Sequence, residues 1–307
     1  MGDAGVLGLG AAVLWRAAAP FHFLKTDKQI MKYKTTSSLL LAILALAVHA
    51  NAENLLKNGN AESGSGEGWS PAPTLSAEAH GGSNSFLIAN AGREILSDPI
   101  EVHPGAVYVL TGFFKSAGKS ALHFGLQPYD AQGRRINSIN INRLPDTATV
   151  LTADAKEGDT TLLIANGQAW KADPKWAAAA FNIDASGSLT DLPNFNISGL
   201  GITEVRKAGD HWEVVLASPL PAPYPKGTKV AEHLAAGGNM YIDAMPKNIG
   251  SEWVKISGPI RGTDTGLSGN KFWLGTTSVK VVVIANANEA GDAMFFDDIE
   301  LEKVSDQ

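Results

Sequence analysis

The stretch Ala121-Leu-His-Phe-Gly-Leu-Gln-Pro-Tyr129 alternates with a period of two. Leu122, Phe124 and Leu126 fall on one side, and His123, Gln127 and Tyr129 on the other. That is the spacing of a strand with one face in a core. Asp130-Ala-Gln-Gly133 then turns the chain. Upstream, His103-Pro-Gly105 is a turn, and residues 106–115 (AVYVLTGFFK) are dense in β-branched and aromatic side chains. Downstream, residues 271–274, 279–285 and 295–304 read as further strands. In the last of these, Ile299 and Leu301 point inward and Glu300 and Glu302 outward; Asp297 shares the inward parity. Helical spacing is weak everywhere after residue 52, even around Trp176-Ala-Ala-Ala-Ala180. The expectation is an all-β fold.

Composition agrees. The chain has 307 residues, 44% hydrophobic and 18% charged, enough apolar surface for a sizeable core. Its 32 glycines and 15 prolines suit many short strands joined by turns. With 25 basic and 31 acidic residues the formal net charge is -6, which argues against nucleic acid as a partner. The absence of cysteine excludes disulfides, thiolate zinc sites, iron–sulfur clusters and Cys nucleophiles together.

Residues 31–52 have the three parts of a secretory signal in order. Lys32 and Lys34 are basic, residues 39–48 are apolar, and Ala50-Asn51-Ala52 is a cleavage site of small residues. The apolar run is too short for a membrane span. Met31 is then the expected start, cleavage falls after Ala52, and residues 1–30 are an upstream extension. The leader region is basic on balance (Arg16, Lys25, Lys28, Lys32 and Lys34 against Asp3 and Asp27), so the remaining chain is more acidic than the whole. The expected location is secreted or periplasmic, in a bacterium.

Residues 151–233 have their own punctuation. LTADAKEGDTTLLIAN reads as loop, turn and strand; residues 202–205 and 212–216 read as a hairpin; Pro221, Pro223 and Pro225 break the chain afterwards. A small β-rich insertion at 151–233 would split a single domain made of 53–150 and 234–307.

Several separated motifs now carry a resemblance. Asn54-Leu-Leu-Lys-Asn-Gly-Asn-Ala-Glu62 followed by Gly68-Trp69, Gly82-Ser-Asn-Ser-Phe86, Tyr108-Val-Leu-Thr-Gly-Phe-Phe-Lys115, Ser251-Glu-Trp-Val-Lys-Ile-Ser257 and Phe296-Asp-Asp-Ile-Glu-Leu301 occur in this order. Together they resemble carbohydrate-binding modules of the family 4/9 type, which are jelly rolls related to galactose-binding domains. Ala61 stands where that family often has an aromatic residue, and the insertion is foreign to it. The resemblance implies a jelly-roll β-sandwich that binds a polysaccharide or glycan. It also implies a structural calcium joining the first and last strands through Glu62 and Asp297, with carbonyls from Gly81-Gly-Ser-Asn84; without metal, the same carboxylates would cap backbone amides.

For sugar contact, His123, Gln127 and Tyr129 form a polar-aromatic row if their face is concave, and a plain solvated row if it is not. Trp273 is a further stacking candidate. Trp253 and Trp212 are expected in cores and Trp69 as a packing residue, whereas Trp170 and Trp176 flank a loop where either could be exposed. No HExxH, GxSxG or Gly-rich phosphate loop occurs. The leading reading is a secreted, non-catalytic glycan-binding protein working beside the cell envelope or separately encoded glycan-degrading enzymes. Two alternatives stand: a polysaccharide lyase or hydrolase, with His123 or Tyr129 as base and Arg134 or Arg135 neutralising a uronate, and a structural or adhesive envelope protein.

Overall fold

A computed structural model describes residues 53–242, 247–265 and 267–305; the leader segment falls outside them. The fold is nearly all β. Two antiparallel sheets face each other. The five-stranded sheet runs Val254–Arg261, Val107–Ala117, Ala293–Ser305, Ser85–Ala89, Thr74–Ser76. The seven-stranded sheet runs Trp69–Ser70, Ala91–Ser97, Ser278–Ala287, Ala121–Tyr129, Met240–Tyr241; Ile100–Glu101 and Lys247–Asn248 add to Ser278–Ala287 and Ala121–Tyr129 respectively. This is the β-sandwich expected from the alternation.

Leu122, Phe124 and Leu126 are buried in the core between the sheets. Phe124 meets Phe114 of the opposite sheet with ring centroids 4.8 Å apart, edge to face. Val279, Val281, Val283 and Ala285 supply the neighbouring inward row. Trp69 packs edge-on to Phe86 and Phe296, and its indole N–H donates to the Asn58 carbonyl at 3.1 Å. Asn54 bridges to Glu302, which ties the first described residues to the last strand.

A second hydrophobic core draws on Leu151 through Val230. Two three-stranded sheets enclose it. One is Ala177–Phe181, Lys229–Leu234, Thr149–Val150; the other is Ile202–Ala208, His211–Leu216, Thr161–Ile164. The hairpin turns at Gly209-Asp210, where Gly209 has φ +67°, a left-handed conformation that glycine adopts without strain. Val230 and Thr149 pair across the first sheet, so the second core's framework begins a few residues before 151. Tyr224 stacks on Phe181 at 3.7 Å, and Trp170 is buried with its N–H on the Thr147 carbonyl.

Four side chains sit elsewhere than their local pattern predicts. The Ala293–Ser305 strand has a bulge: Asp297 pairs with Phe113 and Glu300 with Thr111, so three steps on one strand match two on the other. The extra residue breaks the parity that linked Asp297 to Ile299. Asp297 therefore shares the outward side of Phe113 and is buried beneath the loop at His80 and Gly81. Trp273 is 2% exposed within the main core, beside an equally buried Phe272. Their strand is only two residues long, so alternation exposes neither. Trp253 lies half-buried outside the core, edge-on to His80. Trp212 is half-buried at the margin of the second core.

Candidate functional site

The outward face of the seven-stranded sheet can be built row by row from the strand register. Glu94, Ile284 and His123 form one row. Leu96, Val282, Gly125 and Tyr241 form the next. Lys280 then lies opposite Gln127, and Ser278 opposite Tyr129. His123, Gln127 and Tyr129 do share a face, as alternation requires.

They do not share a role. His123, Tyr129 and Tyr241 are half-buried, whereas Gln127 is 2% exposed. The Gln127 amide donates to Asn239 Oδ1 at 3.0 Å, and its carbonyl accepts the Tyr129 hydroxyl. The Asn239 amide donates to the Tyr241 hydroxyl at 3.1 Å. Arg135 Nη2 donates to Asn239 Oδ1 at 3.1 Å and to the Gly238 carbonyl at 3.0 Å. Gln127 thus holds Tyr129 directly and Tyr241 through Asn239; its amide and its carbonyl both bond the protein. Held this way, the phenol rings lose little rotamer freedom when a ligand arrives. The His123 and Tyr241 rings lie 5.5 Å apart, and the Lys280 ammonium lies 5.8 Å from the Tyr129 ring centroid.

Gly125 makes the arrangement feasible. A Cβ there would fall 1.9 Å from the Met240 carbonyl oxygen and 2.7 Å from the Tyr241 Cα. Only glycine lets the Met240–Tyr241 segment pass so close. Burial lowers the His123 pKa, so its imidazole is neutral at pH 7 and presents one donor and one acceptor. Burial also raises the Tyr129 pKa, with Arg135 opposing that shift, and the phenol stays protonated.

The arginines near this face are engaged elsewhere. Arg134 pairs with Asp130 at 2.8 Å and lies 3.9 Å over the Phe195 ring. Arg135 is part of the network just described. Arg134 is thus paired with a carboxylate, whereas Arg135 bonds neutral acceptors. Trp273, buried in the core, offers no ring face to a sugar.

Glu62 and Asp297 hold one loop from two sides. Glu62 Oε1 accepts the amides of Ser83 and Asn84 at 2.8 and 2.7 Å. Asp297 Oδ2 accepts those of His80 and Gly81 at 2.9 and 3.2 Å, and its Oδ1 accepts that of Asp298 at 2.8 Å. Each of these three oxygens thus accepts at least one backbone amide. Among the described residues no group of three or more His, Asp or Glu side chains converges as a metal-binding set.

Sequence reasoning missed Tyr241, Asn239 and Lys280. The glycine inside an otherwise apolar-polar strand was the available sign that another backbone crosses there.

Comparison with known proteins finds weak structural likenesses. No family model and no curated protein sequence matches the chain. Among solved structures, the chain is similar to the CBM22-1 xylan-binding domain of Paenibacillus barcinonensis Xyn10C, at 10% identity over 78% of this chain and 85% of that one, with a TM-score of 0.30. It is also similar to TmCBM61, solved in complex with β-1,4-galactotriose, at 12% identity over 82% of this chain and 99% of that one, with a TM-score of 0.30. At these scores neither likeness assigns a residue or a ligand to this chain.

Proposed function

We propose that this is an exported, non-catalytic glycan-binding protein that holds a polysaccharide against the outward face of its seven-stranded sheet. The observation that carries the reading is the single hydrogen-bonded network of Gln127, Asn239 and Arg135, which fixes the half-exposed rings of Tyr129 and Tyr241 beside a neutral His123. A sugar has an apolar ring face and polar hydroxyl edges. Fixed phenols supply the surface for the first, and imidazole, Lys280 and Glu94 supply donors and acceptors for the second. The family 4/9 resemblance of the strand motifs points the same way. The secretory-signal pattern of residues 31–52 supports action outside the cytoplasm, at the envelope or beside glycan-degrading enzymes.

A glycan array run beside reducing-end and uronate-absorbance assays tests the proposal. Binding without turnover is the expected result. Turnover would move the protein to the lyase or hydrolase reading, and silence in all arms to the structural one.

A further inference from the structure

Trp176 is 41% exposed, and only Val150 and Leu200 join it as exposed large hydrophobic residues among those described. Its backbone is held firmly. Asp173 Oδ1 accepts the amides of Lys175 and Trp176 at 3.0 and 2.9 Å, the Trp176 carbonyl accepts the Ala235 amide at 2.7 Å, and the Ala177–Phe181 strand begins at the next residue. The Lys175 ammonium lies 4.7 Å from the ring centroid. A large indole is therefore displayed on a rigid support, with a cation over its ring; the exposed Leu200 lies near it, since the Gly201 amide donates to the Ala177 carbonyl at 2.8 Å.

Its position links it to the face already described. The segment that bonds Trp176 through Ala235 continues directly to Gly238 and Asn239, which bond Arg135 and Gln127. Four residues of extended chain span at most about 14 Å. The Trp176 backbone is thus within roughly 20 Å of Asn239, a length a short oligosaccharide covers.

We infer that the insertion carries a second carbohydrate-stacking position at Trp176, so that a glycan chain held on the sheet face continues onto the insertion. This rests on the glycan-binding reading and extends it from one sheet face to a long ligand. Lys175 supplies hydrogen bonds to hydroxyls beside the ring.

Titration calorimetry on the full chain, with disaccharides and hexasaccharides of β-1,4-linked glucose, xylose, mannose and galactose, tests it. Trp176→Ala should weaken hexasaccharide binding about tenfold, the loss expected for one stacking aromatic. It should leave disaccharide binding and the melting temperature unchanged, and Trp176→Phe should recover much of the loss. Tyr241→Ala should weaken both ligand lengths. If Trp176→Ala binds the hexasaccharide normally while Tyr241→Ala does not, the second position falls and the sheet-face reading stands. Equal losses for both lengths also overturn it, since Trp176 would then belong to the first position. If the unaltered protein binds none of these sugars and the array is silent, both fall.

Discussion

On the five-stranded sheet a loop roofs one outward ring, Phe113, which stays half-buried; on the seven-stranded sheet the outward rings, equally half-buried, are tied to one another by polar groups. In the first case His80 lies 3.6 Å over Phe113 in a parallel stack, Trp253 meets His80 edge-on, and Asp297 fastens the His80–Gly81 backbone to the sheet beneath. In the second, Tyr129, Tyr241 and His123 keep part of their surface, and the polar groups tie the rings to one another. Similar residues are thus spent differently: on one side aromatic and carboxylate groups close a loop, and on the other they hold rings in place for something else. Surface composition does not separate the two. The destination of each hydrogen bond does.

The comparison breaks most directly at Asp297. Asp297→Ala leaves three amides without their acceptor, and should cost about 2–4 kcal/mol of stability. Denaturant melts would show the loss, while sugar binding by the folded fraction stays as before. A stable variant, or one that loses sugar binding while folded, would show that the roofed face is not merely structural.

On the open face the expected pattern reverses. Tyr129→Ala should weaken glycan binding by about 1–3 kcal/mol, as for a lost stacking aromatic, yet cost only about 1 kcal/mol of stability through the lost hydroxyl bond to Gln127. Tyr129→Phe separates the two, keeping the ring and removing the hydroxyl. Normal binding by Tyr129→Ala would remove this face from the account.

The joint between insertion and sandwich sharpens the contrast, because there polar groups are sealed away from solvent. Burial pushes Glu232 up to about 7 from 4.5, and His233 down to about 4 from 6.5. Glu232 faces the Lys171 amide at 3.0 Å and the charges of Lys171 and Asp173. His233 Nδ1 bonds the Ile139 carbonyl at 2.7 Å, in the field of Arg143 and Asp191. The raised acid contributes fully below pH 4.5 and loses its contribution as pH rises to about 7; the lowered histidine contributes fully above 6.5 and loses it as pH falls to about 4. Between about pH 4.5 and 6.5 the two slopes oppose, so stability should be nearly flat. Glu232→Gln should make melting temperature climb with pH across that window, and His233→Gln should make it decline. Slopes of the same sign in both variants would refute the assignment.

The smallest expected effect is that of a chelator. Because the carboxylates of Glu62 and Asp297 already serve backbone amides, EDTA should leave the melting temperature where it was. A fall that added calcium reverses, and that Asp297→Ala abolishes, would instead place a structural calcium at this seam.

Much of this architecture can be read from short stretches of chain. The alternation of residues 121–129 is real because Leu122, Phe124 and Leu126 pack against the facing sheet over an unbroken ladder. The same rule misplaces Asp297, since a single inserted residue reverses parity and no local pattern marks it. Gln127 illustrates a different limit. Its face follows from alternation, but its duty depends on Asn239, 112 positions away, which arrives only after the insertion. Trp273 belongs to a two-residue strand, too short for periodicity to say which side is covered.

One inner strand of the five-stranded sheet has consequences for how the chain comes to be folded at all. Val107–Ala117, eleven residues rich in valine and phenylalanine, finds both of its neighbours, Val254–Arg261 and Ala293–Ser305, beyond the whole insertion. Until they arrive it has two bare edges and an uncovered apolar side, the condition that favours pairing with other chains. Contacts of such long range also make for slow closure. Loss of the last strand would therefore strand an adhesive half-sandwich, and the yield of soluble protein should depend on keeping growing chains apart.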